Sequence, residues 1–265
     1  MKTIILCGGQ GTRIREFTET RPKPMIEIGG RPILWHIMSG YAAHGLKDFV
    51  LCLGYKGEMI KRYFLEYSTL CRDFTVTLGQ SSKIEAHGPD PAEDWRVTLA
   101  DTGEKSLTGT RLARAWPYTS ADPGEGGTFA LTYGDAVSDI DLAAALAFHR
   151  KEGRLATITG VRPPGRFGEL EADGSRVTSF WEKPAASGGW INGGFFFMEP
   201  GFRQYLPADG RDMMLEHDPL RACVADGQLS VYRHEGFWQC MDVMRDWQYL
   251  ETLWEKGEAP WKTWA

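Results

Sequence analysis

Two basic residues follow a glycine-rich segment near the amino terminus. The apolar run at residues 4–7 leads into Gly-Gly-Gln-Gly at residues 8–11, and Arg13 and Lys23 come next. Backbone N–H groups of a glycine-rich turn can converge on an anion, and glycine permits the close approach that this needs. Arginine binds phosphate through paired hydrogen bonds, and lysine supplies a compact charge. The pattern favours a phosphate-binding loop over a plain glycine-rich turn, although it matches neither the P-loop nor the dinucleotide-binding pattern.

The lysine stands between two prolines, Pro22 and Pro24. Proline fixes its own φ angle and restricts the residue before it, which lowers the cost of holding Lys23 in one place. We therefore interpret Lys23 as a residue directed at phosphate. The alternative is a solvated lysine in a surface turn.

Two aspartates follow apolar runs that are typical of buried strands. Asp135 ends the stretch TYGD, and Asp242 ends FWQCMD. Carboxylates at the carboxyl edge of an α/β sheet face the ligand crevice, and Mg²⁺ prefers oxygen ligands that it shares with phosphates. The two residues are candidate Mg²⁺ ligands. A turn or N-cap role for Asp135 and an N-cap role for Asp242 remain open.

Polar residues and glycines also interrupt the carboxyl-terminal half. Asn192 and Gly193 lie inside an apolar strand, where glycine indicates either close approach of a ligand or a β-bulge, and asparagine can bind sugar hydroxyls. Glu182 and Lys183 precede a proline. The alternative to a binding role for these two residues is an exposed ion pair in a turn. Arg111 is a weaker candidate for contacting a nucleotide or a phosphate.

The elements that must position these residues alternate along the first part of the chain. Buried strands at residues 3–7 and in DFVLCLGY, and a further strand in FTVTLG, are separated by helical patterns in RPILWHIMSGYAAHG and KGEMIKRYFLEY. Such alternation predicts right-handed βαβ crossovers and a mostly parallel sheet. A polar insertion at residues 80–94 is interpreted as a flap or a contact between subunits.

The remaining elements decorate this core without a clear linker. We expect a strand at residues 128–135, a helix at 139–153, a strand at 155–161 and a hairpin around Asp173 and Gly174. An apolar strand WINGGFFFME, a helix at 213–227, a strand at 229–242 and an amphipathic tail helix follow. The chain is therefore predicted to be a single domain, residues 1–265. The aromatic residues near the carboxyl terminus are interpreted as core or subunit interface.

Composition excludes several classes of protein. The 265 residues carry a net charge of -5, which argues against a broad nucleic-acid-binding surface. The five cysteines are scattered without a CxxC pair, so reduced thiols and a cytoplasmic location are expected. No apolar run approaches the roughly 18 residues of a membrane span, and the amino-terminal run is too short for a signal peptide.

The motifs together resemble the nucleotidyltransferases that make nucleoside-diphosphate sugars. The segments DTGEKSLTGTRL and GFWQCMD are narrower signals, and they favour the cytidylyl members of that family. The resemblance runs from residue 2 to residue 264 and rests on LCGGQGTR, RPKPMIEIGGRPILWHIM, GYKGEMIKRYF, DTGEKSLTGTRL, TYGDAVSDID, PPGRFGEL, EKP, WINGGFFFMEP, GFWQCMD and LWEKGEAPWKTW.

This resemblance implies a fold, a reaction and a set of site residues. The fold is an α/β, Rossmann-like, mostly parallel mixed sheet flanked by helices, as in glycosyltransferase-A-like enzymes. The reaction moves a cytidylyl group from CTP to glucose 1-phosphate with Mg²⁺, and Lys23 and Arg13 are its catalytic residues. Nucleotide-binding residues would be Leu6, Gly8, Gly9, Gly11, Thr12, Arg13, Lys23, Arg111 and Gly134. Residues that bind the sugar phosphate would be Tyr133, Gly168, Glu182, Lys183, Asn192 and Gly193, and the metal would be held by Asp135 and Asp242.

The resemblance also implies that the amino-terminal half binds nucleotide and that the carboxyl-terminal half binds sugar and makes oligomer contacts. It implies a homo-oligomer, of which a hexamer is one form, without nucleic-acid or membrane partners. Three positions depart from the family pattern: Thr110 and Ala136 stand where glycine is usual, and Cys240 stands where proline is usual. Another nucleotide or phosphate acceptor, or a non-catalytic homologue that binds nucleotide sugars, therefore remain alternatives.

Overall fold

The computed structural model describes residues 1–79, 83–89, 93–119, 127–163, 169–173, 176–181 and 189–264. Its strands, in chain order, are β1 (Lys2–Leu6), β2 (Glu27–Ile28), β3 (Arg31–Pro32), β4 (Asp48–Leu53), β5 (Phe74–Thr77), β6 (Lys83–Ala86), β7 (Arg96–Asp101), β8 (Phe129–Tyr133), β9 (Ala136–Ser138), β10 (Ala156–Val161), β11 (Glu169–Asp173), β12 (Arg176–Trp181), β13 (Ile191–Met198), β14 (Leu229–His234) and β15 (Trp238–Cys240). Its helices are α1 (Arg15–Thr18), α2 (Ile33–Ala43), α3 (Gly57–Leu70), α4 (Thr108–Ala115), α5 (Leu142–Glu152), α6 (Asp218–Ala225) and α7 (Met244–Glu255).

A mixed sheet forms the centre of the described part of the chain. Its seven strands follow the order β14-β10-β13-β8-β1-β4-β7. Strand β13 is antiparallel to both of its neighbours, β10 and β8, and the other pairs are parallel. This mostly parallel sheet flanked by helices confirms the predicted α/β fold class.

Both faces of the sheet are buried, which is usual for strands joined by helical crossovers. Ile5, Phe49 and Leu51 face a cluster that includes residues of α2, α5 and α7. Ile4 and Val50 face the opposite side, against residues of α4 and α6. The alternation of side chains along each strand thus supplies two hydrophobic layers around one sheet. Because β1, β4, β7 and β8 are parallel, their carboxyl ends lie at the same edge of the sheet.

The third predicted strand of the alternating pattern, FTVTLG, was assigned to the wrong sheet. Its residues form β5, which within the described part of the chain pairs only with β6, in an antiparallel hairpin, and is exposed along its whole length. The sheet position beside β4 belongs to β7, where Ala100 is buried. Pairing with β6 needs only a short loop, so this local hairpin competes well with a distant partner.

Two elements of the carboxyl-terminal half are shorter than predicted. The strand expected at 229–242 is divided into β14 and β15 by a turn at Gly236, where an added Cβ would lie 2.6 Å from Asp139. The helix expected at 213–227 begins only at Asp218, because residues 213–215 hydrogen bond to the start of α4 instead. The predicted hairpin is present as β11 and β12.

Candidate active site

A cleft lies at the carboxyl ends of β1 and β8, where the glycine-rich loop leaves the sheet. Strand β1 is the point from which the chain proceeds to parallel neighbours on both sides, which is where open α/β sheets usually bind ligands. Predicted site residues that line the cleft are Leu6, Gly8, Gly9, Gly11, Thr12, Lys23, Arg111, Tyr133, Gly134 and Asp135.

The backbone around Lys23 is a single 3₁₀ turn, Lys23–Met25, that carries Pro24. Pro22 precedes it in an extended conformation, and its carbonyl accepts a hydrogen bond from the N–H of Met25. Proline on both sides thus fixes the turn, and Lys23 as a whole residue is only 8% exposed.

The ammonium group of Lys23 lies between the two predicted metal-binding aspartates. Its Nζ donates to Asp135 Oδ2 at 2.8 Å and to Asp242 Oδ1 at 2.6 Å. The second oxygen of Asp242 lies 2.9 Å from Nη1 of Arg13, whose side chain is 70% exposed. Residues separated by more than two hundred positions therefore converge at one point.

The charges of this cluster stabilise one another despite their burial. Burial alone would raise the pKa of Asp242, but the hydrogen bond and charge of Lys23, helped by Arg13, hold it below its usual value. Burial would likewise lower the pKa of Lys23, and the contacts with Asp135 and Asp242 raise it instead. The lysine is therefore fully charged at neutral pH.

The N-cap alternative for Asp242 is wrong. Helix α7 begins at Met244, and its N-cap is Val243, the residue after Asp242. The side chain of Asp246 accepts hydrogen bonds from the N–H groups of Asp242 and Val243. Asp246 therefore satisfies the helix end, and the carboxylate of Asp242 is left for Lys23 and Arg13.

Arg111 binds the backbone around the cleft through both terminal nitrogens. It is buried, and it donates to the carbonyl oxygens of Leu53, Gly103, Gly8 and Glu104 at 2.8–3.1 Å and to Oγ1 of Thr102 at 3.0 Å. An added Cβ at Gly8 would lie 2.0 Å from the guanidinium, so only glycine fits beside it. The arginine thereby joins the loop after β1 to the loop after β7.

The glycine-rich loop is also fixed at its far end. Gly11 has a φ of 61°, and an added Cβ would lie 2.7 Å from the side chain of Thr18. Oγ1 of Thr18 donates to the carbonyl of Gly11 at 3.1 Å. Glycine supplies this left-handed conformation without strain, while Gly9 and Thr12 remain exposed in the cleft.

Strand β13 contains a β-bulge, which was the alternative to close approach of a ligand at its glycines. Its register with β10 shifts between Ile158 and Gly160, and Oδ1 of Asn192 accepts a hydrogen bond from the N–H of Gly194. The carbonyl of Gly193 accepts from the indole of Trp238 at 2.7 Å. The glycines therefore have a packing role here, whatever ligand the strand meets.

Tyr133 connects this strand to a residue that the motifs did not single out. Its ring lies where a Cβ of Gly194 would be, and its hydroxyl donates to Glu216. Burial and the charge of Glu216 raise the pKa of Tyr133, and the hydrogen bond with Asn192 offsets this only in part. The hydroxyl therefore stays protonated. Glu216 lies in a polar stretch before α6 with no motif around it, so no sequence signal identifies it.

Two of the family departures do not line the cleft. Ala136 is buried in β9 and borders a small separate cavity beside His36 and Tyr41. Thr110 accepts a hydrogen bond from the N–H of Met213 at 2.9 Å. The methyl group of Ala136 therefore packs in the interior, and the hydroxyl of Thr110 hydrogen bonds to a loop. Cys240 pairs with Ala136 across β9 and β15.

Three predicted sugar-binding residues lie outside the described part of the chain, namely Gly168, Glu182 and Lys183. Sequence reasoning also passed over the cleft wall formed by Glu104, Lys105, Ser106, Leu107 and Thr108. The signal was present, since these residues lie within DTGEKSLTGTRL. Only the arginine of that motif was singled out as a site residue.

Comparisons with known proteins show the family to which the chain belongs. Residues 2–248 match the family model described as nucleotidyl transferase. A glucose-1-phosphate cytidylyltransferase of Salmonella typhi is 48% identical over 264 residues, covering all of both chains. A probable glucose-1-phosphate cytidylyltransferase of Bacillus subtilis is 42% identical over the same length and coverage. A crystal structure of a putative glucose-1-phosphate thymidylyltransferase from Bacillus anthracis shares the fold, with a TM-score of 0.66, 17% identity, and 100% and 97% coverage of the two chains.

Proposed function

Because the chain belongs to the nucleotidyl transferase family, and within it to the glucose-1-phosphate cytidylyltransferases, we propose that its cleft performs their reaction. The chain is a nucleotidyltransferase that transfers a cytidylyl group from CTP to glucose 1-phosphate, giving CDP-glucose and pyrophosphate. The observation that carries the site assignment is Lys23, a buried lysine at the mouth of a glycine-rich loop and between two carboxylates.

The reaction needs positioning and charge neutralisation more than acid–base chemistry. An oxygen of the sugar phosphate attacks the α-phosphorus of CTP in line, and the bond to the pyrophosphate oxygen breaks. The sugar phosphate is largely a dianion near neutral pH, since the second pKa of a phosphate monoester is about 6, so no general base is required. Lys23 stabilises charge on the α-phosphate and the sugar phosphate. Arg13 and the N–H groups of residues 8–12 bind the leaving pyrophosphate.

The carboxylates of Asp135 and Asp242 fit a Mg²⁺ ion. Both direct an oxygen at the same ammonium nitrogen, so they already converge on one cation. Within the described residues no group of three or more acidic, histidine or cysteine side chains is assembled, and Mg²⁺ commonly takes only one or two carboxylates and completes its sphere with phosphates and water. When bound, the ion would supply further charge neutralisation of the triphosphate.

We assign the remaining roles by half of the chain. Residues 1–265 act as one domain, in which the amino-terminal half binds the nucleotide and the carboxyl-terminal half binds the sugar. Tyr133, Asn192 and Gly193 are assigned to the sugar phosphate, and family membership assigns the same role to Gly168, Glu182 and Lys183. The five cysteines are free thiols, which supports a reducing, cytoplasmic compartment. No helix in the described residues has the length and apolarity to span a membrane.

The hairpin of β5 and β6 is the proposed contact between subunits of a homo-oligomer. A two-stranded hairpin is marginally stable by itself, and this one exposes Phe74, Val76 and Ile84. Leu78 directly follows β5 and Leu65 lies on α3, and more than three quarters of each side chain is exposed. Burial of this apolar surface against a second copy would stabilise the hairpin.

The test is a measurement of pyrophosphate release with CTP, UTP, dTTP and ATP against glucose 1-phosphate and other sugar 1-phosphates. We expect release with CTP and glucose 1-phosphate, and a fall of at least about 100-fold in kcat for Lys23→Ala. The matched control is Lys151→Ala, an exposed lysine at the end of α5, and it should behave as the unchanged chain. Near-normal turnover of Lys23→Ala with an intact fold would reject the assigned role of Lys23.

A further inference from the structure

Glu216 joins the two sides of the cleft through its carboxylate. Oε1 accepts a hydrogen bond from the hydroxyl of Tyr133, and Oε2 accepts one from Oγ1 of Thr108 at 2.7 Å. A carboxylate is an acceptor only, so each of its oxygens here takes one hydroxyl donor. Glu216 itself does not line the cleft, whereas both of its partners do.

The contact with Thr108 reaches the wall of the cleft that follows β7. Thr108 is the first residue of α4, and its hydroxyl also accepts a hydrogen bond from the N–H of Leu215 at 2.8 Å. The carbonyl of Met213 accepts from the N–H groups of Gly109 and Thr110. The segment that carries Glu216 is thus tied to the start of α4 by several bonds, and Glu216 moves with it.

The contact with Tyr133 reaches the opposite wall. Tyr133 ends β8, immediately before Gly134 and Asp135, and its ring packs on Gly194. The Tyr133 hydroxyl donates its hydrogen bond to Glu216, and its oxygen also hydrogen bonds with Asn192, so one lone pair is left for a ligand. A ligand group that meets this oxygen must therefore be a donor, such as a sugar hydroxyl.

We propose that Glu216 is a positioning residue that fixes Tyr133 as a hydrogen-bond acceptor for a hydroxyl of the sugar phosphate. Through Thr108, Glu216 also couples this orientation to the wall of the cleft that follows β7, where the nucleotide would bind. The inference rests on the proposed function for the identity of the two ligands. It adds a specificity element: the enzyme should discriminate against sugar phosphates that lack the hydroxyl facing Tyr133.

The test compares Glu216→Gln, Tyr133→Phe and the double variant with glucose 1-phosphate and its monodeoxy analogues. Loss of a hydrogen bond to a charged partner should raise KM for the acceptor about tenfold in each single variant. Because both changes act on the bond between Tyr133 and Glu216, the acceptor KM of the double variant should be no higher than that of Tyr133→Phe. The unchanged enzyme should discriminate against one deoxy analogue. Tyr133→Phe should use that analogue and glucose 1-phosphate equally well.

A matched pair elsewhere separates positioning from general stability. Tyr205 donates to Asp226 at 2.9 Å on an exposed surface, and neither residue lines the cleft. Tyr205→Phe and Asp226→Asn should leave both KM values unchanged. Multiplying effects in the double variant, or unchanged acceptor and CTP KM values in Glu216→Gln, would overturn the proposal.

Failure of the proposed function gives a different result. If the unchanged chain released no pyrophosphate from CTP and glucose 1-phosphate, calorimetric titration of CTP and of each sugar phosphate would replace the kinetic assay. Weaker binding of both ligands by Glu216→Gln would still support the link between the two walls. Identical binding by Glu216→Gln and the unchanged chain would reject it.

Discussion

Replacement of Arg111 by methionine should destabilise the protein more than it weakens nucleotide binding. Methionine keeps much of the apolar stem and removes the guanidinium that donates to four carbonyls and one hydroxyl. Contact between Arg111 and the nucleotide stays a prediction. Both terminal nitrogens of Arg111 already donate hydrogen bonds to backbone carbonyls, which favours a structural role. The perturbation therefore distinguishes a residue that holds the loops from one that holds the ligand.

The magnitude follows from which acceptors would lose their last partner. The Leu53 carbonyl also accepts from the N–H and the hydroxyl of Thr102, and the Gly8 carbonyl lies 3.5 Å from the N–H of Tyr55. Glu104 is exposed and can turn its carbonyl to water. The loss is thus a few charge-assisted hydrogen bonds, and we expect about 3–5 kcal/mol of unfolding free energy. For a chain of this size the midpoint of thermal unfolding should fall by roughly 10 °C.

The assay is urea and thermal unfolding, with calorimetric titration of CTP at a temperature where every variant is folded. Arg114→Met is the control on the same helix, since Arg114 is exposed and, among the described residues, donates only to Thr102 and Ser106. It should cost about 1 kcal/mol or less. Unfolding free energy of Arg111→Met within about 1 kcal/mol of the unchanged chain, together with a tenfold loss of CTP affinity, would refute the reasoning.

Three further predictions concern the metal, the pH dependence and the assembly. Asp242→Asn and Asp135→Asn should each raise the Mg²⁺ concentration needed for half-maximal turnover by at least about tenfold, in a Mg²⁺ titration at saturating CTP. Burial lowers the pKa of His36 to about 4, so the neutral ring stabilises the fold above pH 6.5. About 3 kcal/mol of unfolding free energy should then be lost as the pH falls towards 4, and urea titrations of His36→Asn should lack that slope. Leu65→Glu combined with Leu78→Glu should reduce the mass measured by sedimentation equilibrium, and an unchanged mass would exclude the β5–β6 surface as the contact.

Local patterns predicted most elements because their causes are local. Strand β8 and helix α5 are continuous apolar or amphipathic runs with clear ends, and Asp141 caps α5 by accepting from the N–H of Ala144. Strands β5 and β7 show the limit. Both are short and contain β-branched residues, and only tertiary contacts decide that β7 joins the sheet while β5 does not. The division of residues 229–242 depended similarly on a glycine packed against Asp139.

The candidate site divides along the same line. Lys23 could be predicted as a site residue because the signals are local. Prolines on both sides restrict its backbone, and glycines after a strand favour a phosphate-binding loop. Arg111 could be noticed, but its role could not, because its partners come from the loops after β1, β4 and β7. Glu216 could not be noticed at all, since nothing near it in sequence distinguishes it from an ordinary surface glutamate.

The cluster at Lys23 also explains why a buried lysine is suited to a phosphate substrate. One ammonium faces two carboxylates, so the three groups together carry an excess negative charge, which Arg13 offsets from an exposed position. A divalent cation between Asp135 and Asp242 would remove their hold on the ammonium and leave Lys23 free to contact a phosphate oxygen. The two aspartates thus keep Lys23 charged although burial opposes that charge. If they bound a cation instead of Lys23, the charge of Lys23 would be available to the triphosphate. On this reasoning the Asp242→Asn variant should lose affinity for CTP in the presence of Mg²⁺ more than in its absence.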